Sequence, residues 1–278
     1  MPAGSWLAEW RGADAAALAA ASAALDAWPG GELSEPEVAR AVVAALPADA
    51  LLWCGNSLSV RDVDLALPPR ADVRVMASRG ASGIDGTFST AAGAALAHAA
   101  DHPGTVAFAL IGDLSLLHDA PGLSIGPGEP RPDLCVVVVN NDGGGIFEGL
   151  EPARFGGGVS GRLQSDGRSA GQPEGQSDGR GDRSEEPSTP GAEGGSALTV
   201  FERTFGTPHG ASVEHLAAAF GIPYTLAERP GEIAKALAAT IPGSGLRIVE
   251  ARTGRAPNAD LRARMRAAAL AALTSPPR

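Results

Sequence analysis

The sequence predicts an α/β fold: a mainly parallel six-stranded sheet with helices on both faces. Two observations and one general rule carry this expectation. Six short apolar runs, at 50–54, 73–77, 105–111, 134–139, 223–226 and 246–250, are separated mostly by segments of helical pattern. The runs 105–111 and 134–139 are continuously apolar, rich in Val, Ile, Leu and Phe, as strands buried on both faces are. Strands alternating with helices imply crossover connections, and crossovers join parallel neighbours.

The elements follow in order. The Ala-rich stretch 6–27 has a helical pattern that the Pro-Gly-Gly of 29–31 ends, so residues 1–31 read as a helical linker into the domain. A second helix lies in SEPEVARAVVAALP, with Ser34 as N-cap, Pro36 in the first turn and Pro47 beyond the end. Helical patterns recur at 87–100, 212–220 and 231–240, and a last Ala- and Arg-rich helix covers 259–273. The α/β domain is thus expected over 32–155 and 197–278. Between these parts, 156–196 is dominated by Gly, Ser, Asp, Glu, Gln and Arg and repeats QSDGR at 164–168 and 176–180. It has almost nothing apolar to bury and is expected to be a disordered low-complexity insertion in a surface loop. A structureless loop of this length otherwise argues against the surrounding assignment, but the repeat accounts for it.

Composition narrows the function. The 278 residues suffice for one large α/β domain or two small ones, and 44% hydrophobic residues supply a sizeable core. With aromatics at only 4%, Ala, Val and Leu must fill that core. A net charge of −10 argues against a nucleic-acid partner, which calls for a basic stripe. Cys54 and Cys135 each lie in a predicted strand and read as small buried hydrophobes rather than a disulfide. No run reaches the length of a membrane span, and residues 1–11 lack a signal-peptide pattern, so the expected location is cytoplasmic.

In an open α/β sheet, ligands collect outside the carboxyl ends of the strands. Asp113 follows the run 105–111 directly, and NNDGGG, from Asn140 to Gly145, follows the run 134–139. Asp113 and Asn141 are therefore expected side by side at the functional edge. Mg²⁺ favours octahedral oxygen ligation, with one or two protein carboxylates and the remainder from phosphates and water. Asp113 offers a carboxylate oxygen and Asn141 an amide oxygen, with a loop carbonyl as a third donor. The glycines at 143–145 let backbone approach a phosphate closely. A plainer reading makes Asp113 the cap of the next helix and NNDGGG a simple turn. Placing both groups at two strand ends favours a metal that bridges protein and diphosphate.

His98, His102, His118 and His215 show no metal-ligand spacing with a second His or Cys and read as structural. His209, in GTPHG, could approach the site as its loop closes. SRGASGIDG is not a Walker A loop, because it lacks the Gly-Lys-Ser/Thr ending.

Gly112-Asp113 followed downstream by Asn140-Asn141 resembles the motif of thiamine diphosphate-dependent decarboxylases and ligases. The flanking blocks CGNSLSVRDVDL, SRGASGIDGTFSTAAGAALA, GDLSLLHD, NNDGGGIF and FERTFGTPHG sharpen the likeness. Together they resemble the 2-succinyl-5-enolpyruvyl-6-hydroxy-3-cyclohexene-1-carboxylate synthase family, carboxyl-terminal portion only. The resemblance implies a thiamine diphosphate-binding fold, here its diphosphate-binding domain. It implies thiamine diphosphate with Mg²⁺ or Mn²⁺ as cofactors, and 2-oxoglutarate and isochorismate as substrates. In that family 2-oxoglutarate is decarboxylated and the resulting succinic-semialdehyde carbanion equivalent is added to isochorismate, in menaquinone biosynthesis.

By the same likeness Asp113, the Asn141 side chain and the Gly143 carbonyl hold the metal. Gly112, Leu114, Ser115, Gly144, Gly145, Ile146 and Phe147 line the diphosphate and thiazolium, and Ile84 props the cofactor into its bent shape. Ser57, Arg61 and Arg79 face the substrates. Both substrates are dicarboxylates, and a planar guanidinium grips a carboxylate with two hydrogen bonds, which lysine cannot do. Arg79 stands between the strand pattern VRVMAS and the turn GASG, at the same ligand edge.

The family places the cofactor between two α/β domains, commonly from different protomers, and its activating glutamate comes from the amino-terminal, pyrimidine-binding domain. No catalytic residue is therefore expected in this chain, whose start resembles the link into the carboxyl-terminal domain. An amino-terminal pyrimidine-binding domain or a second protomer is the expected partner. Two other readings stay open: another thiamine diphosphate-dependent carboligase or decarboxylase, and a non-catalytic Mg²⁺–diphosphate-binding fragment.

Deleting residues 158–195 is expected to move the melting temperature little, because an exposed polar segment buries almost no surface. A large drop in a thermal melt would show instead that the segment packs against the domain.

Overall fold

The computed structural model describes residues 3–29, 31–66, 70–78, 80, 82–151, 153 and 198–274. The stretch 156–196, expected to be disordered, and Arg79 lie outside the described residues. The chain runs α1 (Ala3–Asp26), α2 (Glu35–Ala45), β1 (Leu51–Cys54), α3 (Leu58–Ala66), β2 (Arg74–Met76), α4 (Thr87–Asp101), β3 (Ala107–Gly112) and α5 (Asp113–His118). It continues with β4 (Leu134–Asn140), α6 (Val213–Ala219), β5 (Tyr224–Ala227), α7 (Glu232–Ala238), β6 (Arg247–Arg252) and α8 (Arg255–Thr274).

All six strands are parallel, in the order β2-β1-β3-β4-β6-β5. Side chains of successive strand residues point to opposite faces, and both faces are apolar. Leu52, Phe108, Leu110 and Val137 pack against Val38 and Val42 of α2 and Ile233 and Leu237 of α7. On the other face Trp53, Ile111, Val136 and Val138 meet Phe88 and Ala95 of α4 and Val213 and Ala217 of α6.

From β1 the chain goes to β2 on one side and later returns to β3 on the other, so the order reverses between β1 and β3. A crevice at that reversal, outside the carboxyl ends, is where such sheets bind ligands. The register pairs Gly112 with Val139 and Asn140 with Arg252, so Asp113 and Asn141 emerge at the same edge.

Ser34 caps α2 as the sequence predicts: its Oγ accepts the Glu37 N–H at 3.4 Å, and Glu37 Oε2 accepts the Ser34 N–H at 3.0 Å. Such a cap contributes about 0.5–2 kcal/mol. Helix α1 lies on α8 through Ala21, Leu25, Leu261 and Met265, with the Arg264 guanidinium 5.1 Å from the centre of the Trp28 ring. Cys54 and Cys135 are free and buried, and burial pushes their thiols up to about 12 and about 11. Neither forms a thiolate nucleophile near neutral pH.

Three features depart from the sequence pattern. Helix α3 is not apparent from periodicity, because its inward position Asp62 carries a charge where the pattern looks for an apolar residue. Strand β2 is shorter than the run 73–77, and its residues are exposed at the sheet edge. Helix α8 begins at Arg255 rather than 259, with Pro257 tolerated in its first turn.

Asp62 belongs to a buried ion cluster. Arg262 of α8 donates from Nε to Asp62 Oδ1 and from Nη2 to Asp62 Oδ2, both at 2.6 Å, and Nη2 also donates to Glu35 Oε2. All three residues are at most 4% exposed. Burial pushes the Asp62 carboxyl pKa up, and the Arg262 hydrogen bond and charge pull against it. Arg262→Ala strands two buried carboxylates and is expected to cost roughly 3–5 kcal/mol. Arg40→Ala removes only the exposed pair with Asp26 and is expected to cost about 0–1 kcal/mol. Urea denaturation of both variants checks this, and equal losses would contradict it.

Candidate functional site

The site is built from the loops after β1, β3 and β4. Beyond β3, Gly112 is extended and Asp113 opens α5. The Asp113 carboxylate is 2% exposed, and its Oδ1 accepts the Leu114 N–H at 2.7 Å. Oδ2 reaches across to the β4 loop and accepts the Gly143 N–H at 2.9 Å. Asp113 is the first residue of α5 rather than its cap, a position that Gly112 holds without a side chain, and its carboxylate joins the two loops.

Beyond β4 the backbone turns sharply. Asp142 has φ +58°, an uncommon conformation that Asp tolerates, and Gly143 has φ +132°, which favours glycine. A Cβ on Gly143 would lie 1.9 Å from the Gly206 carbonyl oxygen, and one on Gly144 would lie 2.1 Å from that of Phe205. The cause is a π-helical turn, Glu202–Gly206, that presses on the glycines. Gly144 N–H donates to the Gly206 carbonyl at 2.8 Å, and the Phe147 and Phe205 rings lie 5.3 Å apart. Arg255 Nη2 fastens this turn to α8 by donating to Glu202 Oε2 at 2.8 Å.

The chain that follows brings in His209. The N–H groups of His209 and Gly210 donate to Asp142 Oδ1 at 3.0 and 2.8 Å, and His209 Nε2 meets Asp113 Oδ2 at 3.1 Å. His209 Nδ1 accepts the Ala211 N–H at 2.9 Å. A ring nitrogen that accepts carries no hydrogen, so Nε2 holds it and donates to Asp113. Burial pushes the Asp113 pKa up, opposed by hydrogen bonds from the Gly143 N–H, the His209 ring and the Leu114 N–H.

The two asparagines are held differently. Asn140 Nδ2 donates to buried Glu250 at 2.8 Å, while its Oδ1 accepts the Asp142 N–H at 3.0 Å. Asn141 Nδ2 donates to Glu35 Oε1 at 2.7 Å, but its Oδ1 is buried and accepts no hydrogen bond among the described residues. Buried polar oxygens are seldom left without a partner, so this one has acceptor capacity to offer a ligand. With the Asp113 carboxylate and the Gly143 carbonyl it makes an all-oxygen set, the chemistry that Mg²⁺ takes. Among the described residues, no group of three or more His, Cys, Asp and Glu side chains could hold a metal.

The structure gathers the residues named from the sequence unevenly. Ile84, Gly112, Asp113, Leu114, Ser115, Asn141, Gly143, Gly144, Gly145, Ile146 and Phe147 all line one cavity of about 200 Å³, and Ser57 joins them. Arg61 is not brought there. Its Nη1 donates to the Ser57 carbonyl, and it lines a larger cavity of about 650 Å³ near α1 and α8, on the other side of Asp62. His98 and His102 are stacked on each other at 4.6 Å, away from the cavity.

Sequence reasoning undervalued His209 and missed Glu35, Asp62 and Arg262. A signal for Glu35 existed: it shares a helical face with Val38, Ala39 and Val42, and a charge on an apolar face needs a buried partner.

Among the described residues no helix is long and apolar enough to cross a membrane. No family model matches the chain. Among solved structures, benzoylformate decarboxylase from Polynucleobacter necessarius shares the fold, with a TM-score of 0.50 and 14% identity over 78% of this chain and 32% of that one. The chain is 46% identical over 241 residues to the 2-succinyl-5-enolpyruvyl-6-hydroxy-3-cyclohexene-1-carboxylate synthase of Thermobifida fusca, covering 87% of this chain and 35% of that protein. It is 43% identical over 270 residues to the synthase of the same name from Saccharopolyspora erythraea, covering 96% of this chain and 39% of that protein. By sequence the chain is similar to the 2-succinyl-5-enolpyruvyl-6-hydroxy-3-cyclohexene-1-carboxylate synthases, and it spans 35% and 39% of the length of these two relatives.

Proposed function

We propose that the chain is the carboxyl-terminal, diphosphate-binding part of a thiamine diphosphate-dependent synthase. Its reaction is decarboxylation of 2-oxoglutarate and transfer of the succinyl unit to isochorismate, in menaquinone biosynthesis in the cytoplasm. The observation that carries the reading is the buried Asn141 Oδ1, without a hydrogen bond among the described residues, beside Asp113 and the glycine turn. The similarity to the synthases supports the substrates.

In this reading Asp113, Asn141 and the Gly143 carbonyl hold Mg²⁺ or Mn²⁺, and the all-oxygen set suits either ion. Thiamine diphosphate, when bound, supplies an electron sink for breaking and making the carbon–carbon bonds. Gly112, Leu114, Ser115 and the 144–147 turn line its diphosphate and thiazolium, and Ile84, 40% exposed, offers it an apolar support. His209, neutral with its hydrogen on Nε2, steadies the Asp113 carboxylate without adding a positive charge beside the metal. Ser57 and Arg79 face the substrates, and Arg61 joins them only by leaving the Ser57 carbonyl.

The acids that line the cavity among the described residues are Glu35, Asp62 and Asp113. Glu35 and Asp62 are bound to Arg262, and Asp113 is committed to the metal. None is free to move a proton at the far end of the cofactor. This supports an activating glutamate from a separate pyrimidine-binding domain, with helix α1 as the link towards it and 32–155 with 197–278 as the diphosphate-binding unit.

Asp113→Ala is expected to abolish Mg²⁺-dependent diphosphate binding while circular dichroism stays that of the folded chain. Undiminished affinity by titration calorimetry would sink the metal assignment. The 278-residue chain with Mg²⁺, thiamine diphosphate and both substrates is expected to form no product until an amino-terminal domain is added. Robust product from the chain alone would show that the base lies within it.

A further inference from the structure

Resting on the reading of this cavity as a metal–diphosphate site, we propose that Glu35 is the positioning residue of the Asn141 ligand. Its carboxylate, anchored by Arg262, sets which end of the Asn141 amide faces the cation and so sets the affinity for a divalent cation bound to diphosphate.

An asparagine side chain has a donor end and an acceptor end of nearly the same shape, and only its neighbours decide which faces where. An ionised carboxylate accepts and cannot donate. Glu35 is pinned on every side. Its Oε2 accepts from Arg262 Nη2, and its Oε1 accepts from Asn141 Nδ2 at 2.7 Å and from Thr253 Oγ1 at 3.3 Å. Its backbone N–H donates to Asn258 Oδ1 at 2.7 Å, and Asn258 Nδ2 in turn donates to the Gly254 carbonyl at 2.6 Å. A carboxylate held this way takes only the NH₂ end of Asn141 and leaves Oδ1 for the cation. Gly145 makes room for the amide, since a Cβ there would lie 2.4 Å from Asn141 Nδ2. Arg262 links the pair to α8, so the carboxyl-terminal helix holds the metal ligand through two side chains.

Neighbouring Asn140 gives the contrast. It also hands its NH₂ to a buried glutamate, but its oxygen is used by the Asp142 N–H. Asn140 therefore shapes the turn, and Asn141 has an oxygen to offer.

The test is a swap, read by electron paramagnetic resonance of Mn²⁺ with pyrophosphate on the full chain. In Glu35→Gln the new side chain turns its oxygen to Arg262 and its NH₂ to Asn141. Asn141 must then flip and present NH₂ to the cation, and Mn²⁺ affinity is expected to fall about 10–100-fold, the usual range for an outer partner of a ligand. Adding Asn141→Asp to that variant supplies an oxygen to each neighbour, and the affinity is expected to return towards wild type. Equal binding by wild type and Glu35→Gln, or a loss that Asn141→Asp does not repair, overturns the positioning role while the site reading stands. Failure of the wild-type chain to bind Mn²⁺ with pyrophosphate brings down both.

If Glu35→Gln does not fold, NMR of the unmodified chain decides. The Asn141 Cγ resonance is expected to shift on addition of Mg²⁺ and pyrophosphate while its Nδ2 hydrogens stay protected from exchange. Rapidly exchanging hydrogens, or an unmoved Cγ, would overturn the proposal.

Discussion

The pairing of β3 with β4 in the register Gly112 to Val139 is the constraint from which the site follows. A strand slipped by one residue turns every side chain to the other face, and here both faces are packed against helices. The register is therefore held by Leu110 and Val137 on one side and Ile111 and Val138 on the other. It delivers Asp113 and the Asn140–Asn141 pair to one edge, where the Gly143 N–H closes on Asp113. The glycines after Asn141 are needed for the same reason. The π-helical turn that brings His209 in can approach only backbone without side chains.

Beneath this edge lies a layer of buried charge. Glu250 and Glu35 stand under Asn140 and Asn141, and each carries further partners: Tyr224 and Arg252 for the first, Arg262 for the second. Buried ion clusters add little net stability compared with apolar packing, but they fix geometry once every member is satisfied. The arrangement makes sense where a ligand must be oriented. The central strands β3 and β4 are apolar until Asn140, where the loops that line the cavity begin.

Much of the fold was legible because its signals are local. The continuous apolar runs of β3 and β4, the Ser34 cap with Glu37, and the Gly-Asp and Asn-Asn placements can each be read from a few neighbouring residues. What could not be read depends on contacts distant in sequence. Asp62 hides the periodicity of α3 because its charge is answered by Arg262, far along the chain. The loop GTPHG suggests that His209 approaches the site, but no neighbouring residue foretells that its ring meets the Asp113 carboxylate. Arg61 looks like a carboxylate grip in sequence, yet its guanidinium turns to the Ser57 carbonyl, where the reversal into α3 leaves an acceptor exposed.

In the proposed site Asp113, Asn141 and Gly143 share one cation and Asn140 does not. A crystal of the chain grown with Mn²⁺ and pyrophosphate, measured for anomalous scattering at the manganese edge, tests it most directly. One peak is expected, about 2.1 Å from an Asp113 carboxylate oxygen, Asn141 Oδ1 and the Gly143 carbonyl. A peak ligated by Asn140, or one that leaves Asn141 bonded only to Glu35, would contradict it.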